Sequence, residues 1–193
     1  MLRPCSGLSG GDKPPPLPLC SGTLILGGAR SGKSRQAERL ATASGWPVTY
    51  VATATAQDSE MAARIAAHRA SRPAHWVVVE EPLHVARALA QHAGAGQCVI
   101  VDCLTLWLCN VLAANDDALF AHERAALLAV LPTVAGQVIL VSNETNLGVV
   151  PLGALSRRFC DEAGWLHQDL AAQCDCVMLM VAGLPLLLKG NST

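Results

Sequence analysis

Gly27-Gly28-Ala29-Arg30-Ser31-Gly32-Lys33-Ser34 follows the short apolar run Thr23–Leu26 and opens a helical pattern over Gly32–Ala43. This is G-x-x-x-x-G-K-[ST] in the strand–loop–helix context that gives the motif its meaning. Glycines let the main chain wrap an anion without Cβ contacts. The helix start adds unpaired N–H groups and a partial positive charge. In such a loop Lys33 reaches the β- and γ-phosphates and Ser34 ligates Mg²⁺. The stretch predicts a nucleoside triphosphate site on an α/β fold.

The chain on either side repeats the same alternation. Val48–Ala52, Trp76–Val79, Cys98–Val101 and Val138–Val141 read as buried strands, and Val177–Val181 as the last one. Helices are expected over Ser59–Ser71, Leu83–His92, Leu104–Ala113, Ala118–Leu131 and Leu155–Gln173. Strands that are apolar throughout belong to parallel sheets covered on both faces. The expected fold is a three-layer α/β domain with a mostly parallel sheet. Ligands of such sheets bind beyond the carboxyl ends of the strands. The residues there are Gly27–Ser34, Thr53–Thr55, Glu80–Glu81, Asp102 and Asn143–Glu144. Asp102 matches the second acidic position of P-loop enzymes, which orders the Mg²⁺ shell. The same carboxylate could also cap the helix that starts at Leu104, and the two roles are compatible.

Composition narrows the class. Hydrophobic residues are 51% of the chain and charged residues 15%. That implies a large core and a surface partly covered by other subunits, since average domains are nearer 25% charged. A net charge of −1 gives no footprint for nucleic acid. The cysteines show neither CxxC nor zinc spacing and read as reduced thiols of a cytoplasmic protein. Residues 1–22 carry Pro14, Pro15, Pro16 and Pro18 and read as a disordered tail rather than an export signal. Residues 23–193 form the nucleotide-binding domain. No membrane span is expected, because Pro132, Gly136 and Gln137 interrupt the uncharged stretch Ala125–Asn143.

One histidine stands apart. In Asp58–Pro73 a helix places Glu60, Arg64, His68 and Arg72 on one face. A neutral imidazole can attack phosphorus and form a covalent intermediate. Neighbouring guanidinium groups favour the neutral ring and suit phosphate oxygens. Spacing alone also fits a solvated face with a Glu60–Arg64 pair.

Longer blocks carry a resemblance. They are GGARSGKSRQAE at Gly27–Glu38, YVATA at Tyr50–Ala54 and DSEMAARIAAHRASRPAHW at Asp58–Trp76. VDCLTLWLCNVL at Val101–Leu112, VSNETNLGVVP at Val141–Pro151 and RRFCDEAGWLHQDLA at Arg157–Ala171 extend it. The chain resembles the bifunctional adenosylcobinamide kinase/adenosylcobinamide-phosphate guanylyltransferases of cobalamin synthesis, from about Thr23 to Lys189. The resemblance implies a RecA-like P-loop fold and two reactions. ATP or GTP phosphorylates the aminopropanol hydroxyl of adenosylcobinamide. GTP then guanylylates a histidine, releasing pyrophosphate, and GMP passes to adenosylcobinamide phosphate to give adenosylcobinamide-GDP.

By the same resemblance the guanylylated histidine is His68. The nucleotide contacts are Gly27, Gly28, Ala29, Arg30, Ser31, Gly32, Lys33, Ser34, Ala52, Thr53, Ala54, Arg69, Ala70, Ser71, Arg72, Glu80 and Asp102. Ser34 and Asp102 would hold Mg²⁺, and the protein would be a homo-oligomer, a trimer. Glu80 suits guanine, because a carboxylate accepts from ribose hydroxyls or the N1–H and N2–H groups. The chain departs from the family pattern at Ala67, Cys160 and His167, the last standing where asparagine is usual. Rival readings are a small-molecule kinase without covalent catalysis, a RecA-like ATPase and a nucleotide-binding regulatory subunit.

Overall fold

In the computed structural model, residues 21–55, 59, 63, 66 and 72–190 are described. Seven strands form one sheet: β1 (Gly22–Gly27), β2 (Val48–Ala52), β3 (Val77–Glu80), β4 (Cys98–Asp102), β5 (Gln137–Val141), β6 (Cys176–Val181) and β7 (Leu184–Lys189). Their spatial order is β3-β2-β4-β5-β1-β6-β7. Every neighbouring pair is parallel except β6 and β7, which run antiparallel. Among the described residues five α-helices have defined bounds: α1 (Lys33–Ser44), α2 (Val85–His92), α3 (Leu104–Ala113), α4 (Asp117–Val130) and α5 (Ala154–Gln173).

Successive residues of a strand point to opposite faces. The two cores show this directly. Leu24, Leu26, Val99, Val101, Val138 and Leu140 pack with residues of α2, α3, α4 and α5. Their alternates Ile25, Ile100, Ile139 and Val141 pack with Ala37, Leu40 and Ala41 of α1. The central strands are therefore apolar on both sides, which makes them unbroken hydrophobic runs in sequence. This is the three-layer P-loop architecture expected.

The strand after Val181 is a correction. The reading that ended the sheet at β6 missed β7, whose run Leu184-Pro185-Leu186-Leu187-Leu188 contains a proline and lacks alternation. Proline is tolerated because β7 is an edge strand, where one row of N–H groups needs no sheet partner. Its exposed face explains the missing alternation: Leu184, Leu186 and Leu188 all lie largely in solvent. In the segment expected as a helix over Ser59–Ser71, the described positions Ser59, Ala63 and Ala66 are helical and exposed.

Main-chain packing is tight where β5 begins. The Gly136 N–H donates to the Ala93 carbonyl at 2.9 Å. A Cβ at Gly136 would lie 2.5 Å from the Gly94 carbonyl oxygen and 2.7 Å from that of Gln97. Both are backbone atoms and cannot swing away. Gly136→Ala is expected to cost about 1–3 kcal/mol through overpacking. Urea unfolding checks this, as a lower midpoint with an unchanged slope.

Candidate functional site

The register of three strands builds the floor of the site. Ala52 on β2 pairs with Glu80 on β3 and with Asp102 on β4. Two residues back, Tyr50 pairs with Val78 and with Ile100. Residues two apart share a face, so Tyr50, Ala52, Val78, Glu80 and Asp102 look the same way. That face is the one α1 covers. A cavity of about 500 Å³ opens there, lined by these five residues, by Ala29–Arg35 and by Ala54, Arg72, Cys103, Leu106 and Asn143.

The loop from Gly27 to Ser34 closes one side. Gly27 and Gly32 have φ of 148° and 97°, in the left-handed region that favours glycine. A Cβ on Gly27 would meet the Met180 carbonyl oxygen at 2.5 Å, which fixes glycine there a second time. The turn between β6 and β7 supports the loop, with the Gly183 N–H donating to the Ser31 carbonyl at 3.0 Å. The turn that leads into the missed strand β7 thus braces the phosphate loop.

Lys33 is buried, and its Nζ donates to the Gly28 carbonyl at 2.6 Å. Burial lowers its pKa from the ordinary 10.5, and the carboxylate of Asp102 opposes that shift. The Asp102 carboxylate accepts a hydrogen bond from the Tyr50 hydroxyl at 2.5 Å. It does not cap α3, whose N-cap is Cys103 with no side-chain cap bond. The phenol of Tyr50 is driven well above its usual range by burial and by Asp102, so it remains a donor. The Arg72 guanidinium stacks on the Tyr50 ring, 3.5 Å from its centroid. Its Nε is buried with no hydrogen-bond partner.

Several expected residues occupy other places. Thr53 is fully buried and turned away from the cavity. Its hydroxyl donates to the Cys103 carbonyl at 2.7 Å and accepts from the Cys103 N–H at 2.9 Å. Gly27 and Gly28 shape the loop without lining the cavity. Glu81, beside Glu80, is structural: it accepts from the N–H groups of Leu83 and His84 and from Arg87. These donors hold its carboxyl below the usual value against the opposing effect of burial. His68, Arg69, Ala70 and Ser71 lie outside the described residues.

Tyr50 was missed as a site residue, whereas Asn143 lines the cavity as its strand-end position suggested. Tyr50 had a signal, since a tyrosine in a buried strand needs a partner for its hydroxyl. Its partner is diagonal across the sheet and depends on register. Asn143 is placed by Thr105, whose hydroxyl accepts from the Asn143 side-chain amide at 3.0 Å. Among the described residues no cluster of three or more His, Cys, Asp or Glu side chains could hold a metal alone. No helix of the described residues is long and apolar enough to cross a membrane. Among the described residues six cysteines are free thiols.

Fold and site together define a P-loop nucleotide-binding protein. Residues 23–188 match the family described as cobinamide kinase / cobinamide phosphate guanyltransferase, and the chain belongs to that family. It is 62% identical over 168 residues to the bifunctional adenosylcobalamin biosynthesis protein CobP of Pseudomonas aeruginosa, covering 87% of this chain and 97% of that protein. It is 38% identical over 180 residues to the bifunctional adenosylcobalamin biosynthesis protein CobU of Escherichia coli, covering 86% and 98%.

A buried histidine lies just behind the site. His167 Nε2 and the Ser142 hydroxyl are 2.7 Å apart, and His167 Nδ1 has no hydrogen-bond partner. The nearest carboxylate oxygen to Nδ1 is Glu144 Oε2 at 3.8 Å. Burial lowers the His167 pKa from 6.5, and Glu144 opposes this only in part. As pH falls, the unfolded chain therefore takes up the proton first. The contribution of the neutral ring is complete above the unfolded pKa and is lost as pH drops toward the folded one. Chemical denaturation between about pH 7.5 and pH 5 should show stability falling in the wild type and falling less steeply in His167→Asn.

Proposed function

We propose that this chain catalyses both reactions for which its family is described, with adenosylcobinamide and then adenosylcobinamide phosphate as acceptors. The observation that carries the reading is the cavity that unites Lys33, Ser34 and Asp102 at one end with Arg72 and Glu80 at the other. Such a space suits a whole nucleotide, its phosphates on the loop and its base near Glu80. The two relatives above, both named bifunctional, are matched over nearly their full length.

In the first reaction the aminopropanol hydroxyl oxygen attacks the γ-phosphorus of ATP or GTP. The bond to the β-phosphate oxygen breaks, the nucleoside diphosphate leaves, and the hydroxyl proton passes to solvent. Main-chain N–H groups of the loop and the Lys33 ammonium hold the charge that spreads over the phosphoryl oxygens. In the second, the neutral imidazole of His68 attacks the α-phosphorus of GTP and pyrophosphate leaves. A phosphate oxygen of adenosylcobinamide phosphate then takes the GMP and frees the ring. Arg69 and Arg72, which follow His68 in sequence, would favour the neutral ring and bind phosphate oxygens. Ala52, Ala54, Ala70 and Ser71 would complete the nucleotide contacts, while Thr53 would act only by holding the Cys103 backbone.

The donor set suits Mg²⁺. The Ser34 hydroxyl and the Asp102 carboxylate both border the cavity, and hard cations take oxygen ligands. Two protein oxygens with phosphate and water making up the rest is the usual economy of Mg²⁺ sites. When bound, the ion would neutralise charge on the phosphates. A homo-oligomer is supported by exposed Val181, Leu184, Leu186 and Leu188 on the β6–β7 hairpin, and the trimer is what the family resemblance implies. Free thiols throughout the described residues agree with a reducing compartment such as the cytoplasm.

Incubation with α-labelled GTP followed by denaturation tests the covalent step. Acid-labile, alkali-stable label on the wild type and none on His68→Ala is the expected result. Label on neither protein would leave a plain kinase. Lys33→Ala should lower both half-reactions by about 100-fold or more, the scale of losing a preorganised charge at the reacting phosphate. His68→Ala should spare the kinase reaction. Equal loss of both in a folded His68→Ala protein would sink the assignment of separate roles.

A further inference from the structure

A second concavity lies where the nucleotide cavity ends. Asn143, at the carboxyl end of β5, lines the first. Thr145 and Asn146 line the second, which measures about 270 Å³ and runs between the 145–151 loop and α5. The link is short because the chain at Glu144 sits against the phosphate loop, its N–H donating to the Gly27 carbonyl at 3.0 Å. An acceptor in this groove therefore approaches from the side of β5, next to the strand that ends in the phosphate loop.

The loop is held in place by polar clamps while its apolar side chains face out. The Asn146 side-chain amide donates to the Cys160 carbonyl at 2.9 Å, and Glu144 accepts from the Asn146 N–H at 2.7 Å. Gly164 makes room for the first of these, since a Cβ there would lie 2.9 Å from Asn146 Nδ2. The Arg157 guanidinium donates to the Leu152 carbonyl. Clamped at Asn146 and Leu152 in this way, the loop leaves Val149 98% and Val150 70% exposed, opposite Trp165 at 55%. Gln168 and Asp161 stand on the same wall. Apolar surface with a few polar groups, carried on a loop clamped at both ends beside the nucleotide cavity, is the make-up of a ligand site rather than of a solvated loop.

We propose that this groove grips the corrin ring of the acceptor, so that its aminopropanol arm reaches along Asn143 to the terminal phosphate. The proposal rests on the cobinamide reading above. A corrinoid is a broad, largely apolar macrocycle fringed with carboxamides. Val149, Val150 and Trp165 offer apolar contact to such a ring. The Gln168 amide can both donate to and accept from its peripheral amides. The groove is smaller than a corrin and open to solvent, so it would hold one edge of the ring and leave the rest free. Residues of the nucleotide cavity cannot serve the same purpose while GTP or ATP occupies them.

The test is steady-state kinetics with adenosylcobinamide as the varied substrate and ATP fixed, alongside self-labelling by α-labelled GTP without corrinoid. Val150→Asp should raise the KM for adenosylcobinamide by about tenfold or more, because a charge is placed against an apolar ligand. Trp165→Ala and Gln168→Ala should raise it less, with little change in kcat. GTP-dependent labelling should keep its rate in all three, which also reports that the nucleotide site is folded. An unchanged KM in variants that label normally would overturn the proposal. So would an unchanged KM with a smaller assembly by sedimentation, which would make the groove an interface between copies of the chain. If the wild type labels with GTP but does not phosphorylate adenosylcobinamide, the cobinamide reading itself fails, an outcome that these variants cannot imitate.

Discussion

Burying the ammonium of Lys33 costs free energy that the Gly28 carbonyl and the nearby Asp102 carboxylate offset, and each of those partners is itself held from another direction. The Gly28 carbonyl is fixed by a loop that the Gly183 N–H braces through Ser31. Asp102 is fixed by the hydroxyl of Tyr50, and the next residue, Cys103, is pinned at both backbone groups by Thr53. A charge withdrawn from water needs such partners, because leaving it unpaired costs more than the pair returns. The resulting chain of dependence crosses the sheet from β7 through β6, β1 and β4 to β2. Substitutions far from the phosphate loop in sequence can therefore loosen it.

The parts of this site that were legible in the sequence are those whose physics is local. Gly27, Gly32 and Lys33 announce themselves because backbone angles, anion binding and charge all depend on neighbours within eight positions. The strand ends at Ala52, Glu80 and Asp102 were legible from the apolar runs before them. Tyr50 was not, since its role depends on which residue of β4 lies diagonally across from it. β7 was not, because an edge strand is free of the two-sided burial that makes the central strands conspicuous. Thr53 was read correctly as lying at a strand end, but not as turned inward. That orientation follows from alternation with Ala52, which faces the cavity. The groove beside α5 left almost no signal, because its walls are brought together by Asn146 reaching fourteen residues along the chain to Cys160.

The order of strands also bears on how one pocket could serve two reactions. β5 lies between β1, which carries the phosphate loop, and β4, which carries Asp102. The cavity extends from there across β4 and β2 to Glu80 on the edge strand β3. On the proposed reading, a nucleotide anchored by its terminal phosphates lies across this face with its base toward β3. The γ-phosphorus is then nearest β5 and the second groove. The α-phosphorus lies farther along, toward the strand end from which the chain leaves for the segment that carries His68. An acceptor hydroxyl and an attacking imidazole would thus approach different phosphorus atoms of similarly seated nucleotides from different sides.

That separation has a physical consequence for the stacked pair Arg72 and Tyr50. Arg72 closes the sequence segment of His68, and its guanidinium rests on a ring whose hydroxyl holds Asp102. Cation–π contact of this kind contributes about 0.5–2 kcal/mol, depending on desolvation. That is enough to bias where Arg72 rests on the sheet without locking it. Arg72 also keeps a buried Nε without a hydrogen-bond partner, a cost that a phosphate or sugar oxygen could relieve on binding. The stack therefore ties Arg72 to the same carboxylate that lies near Lys33. Through Asp102, the two ends of the cavity share one electrostatic reference point.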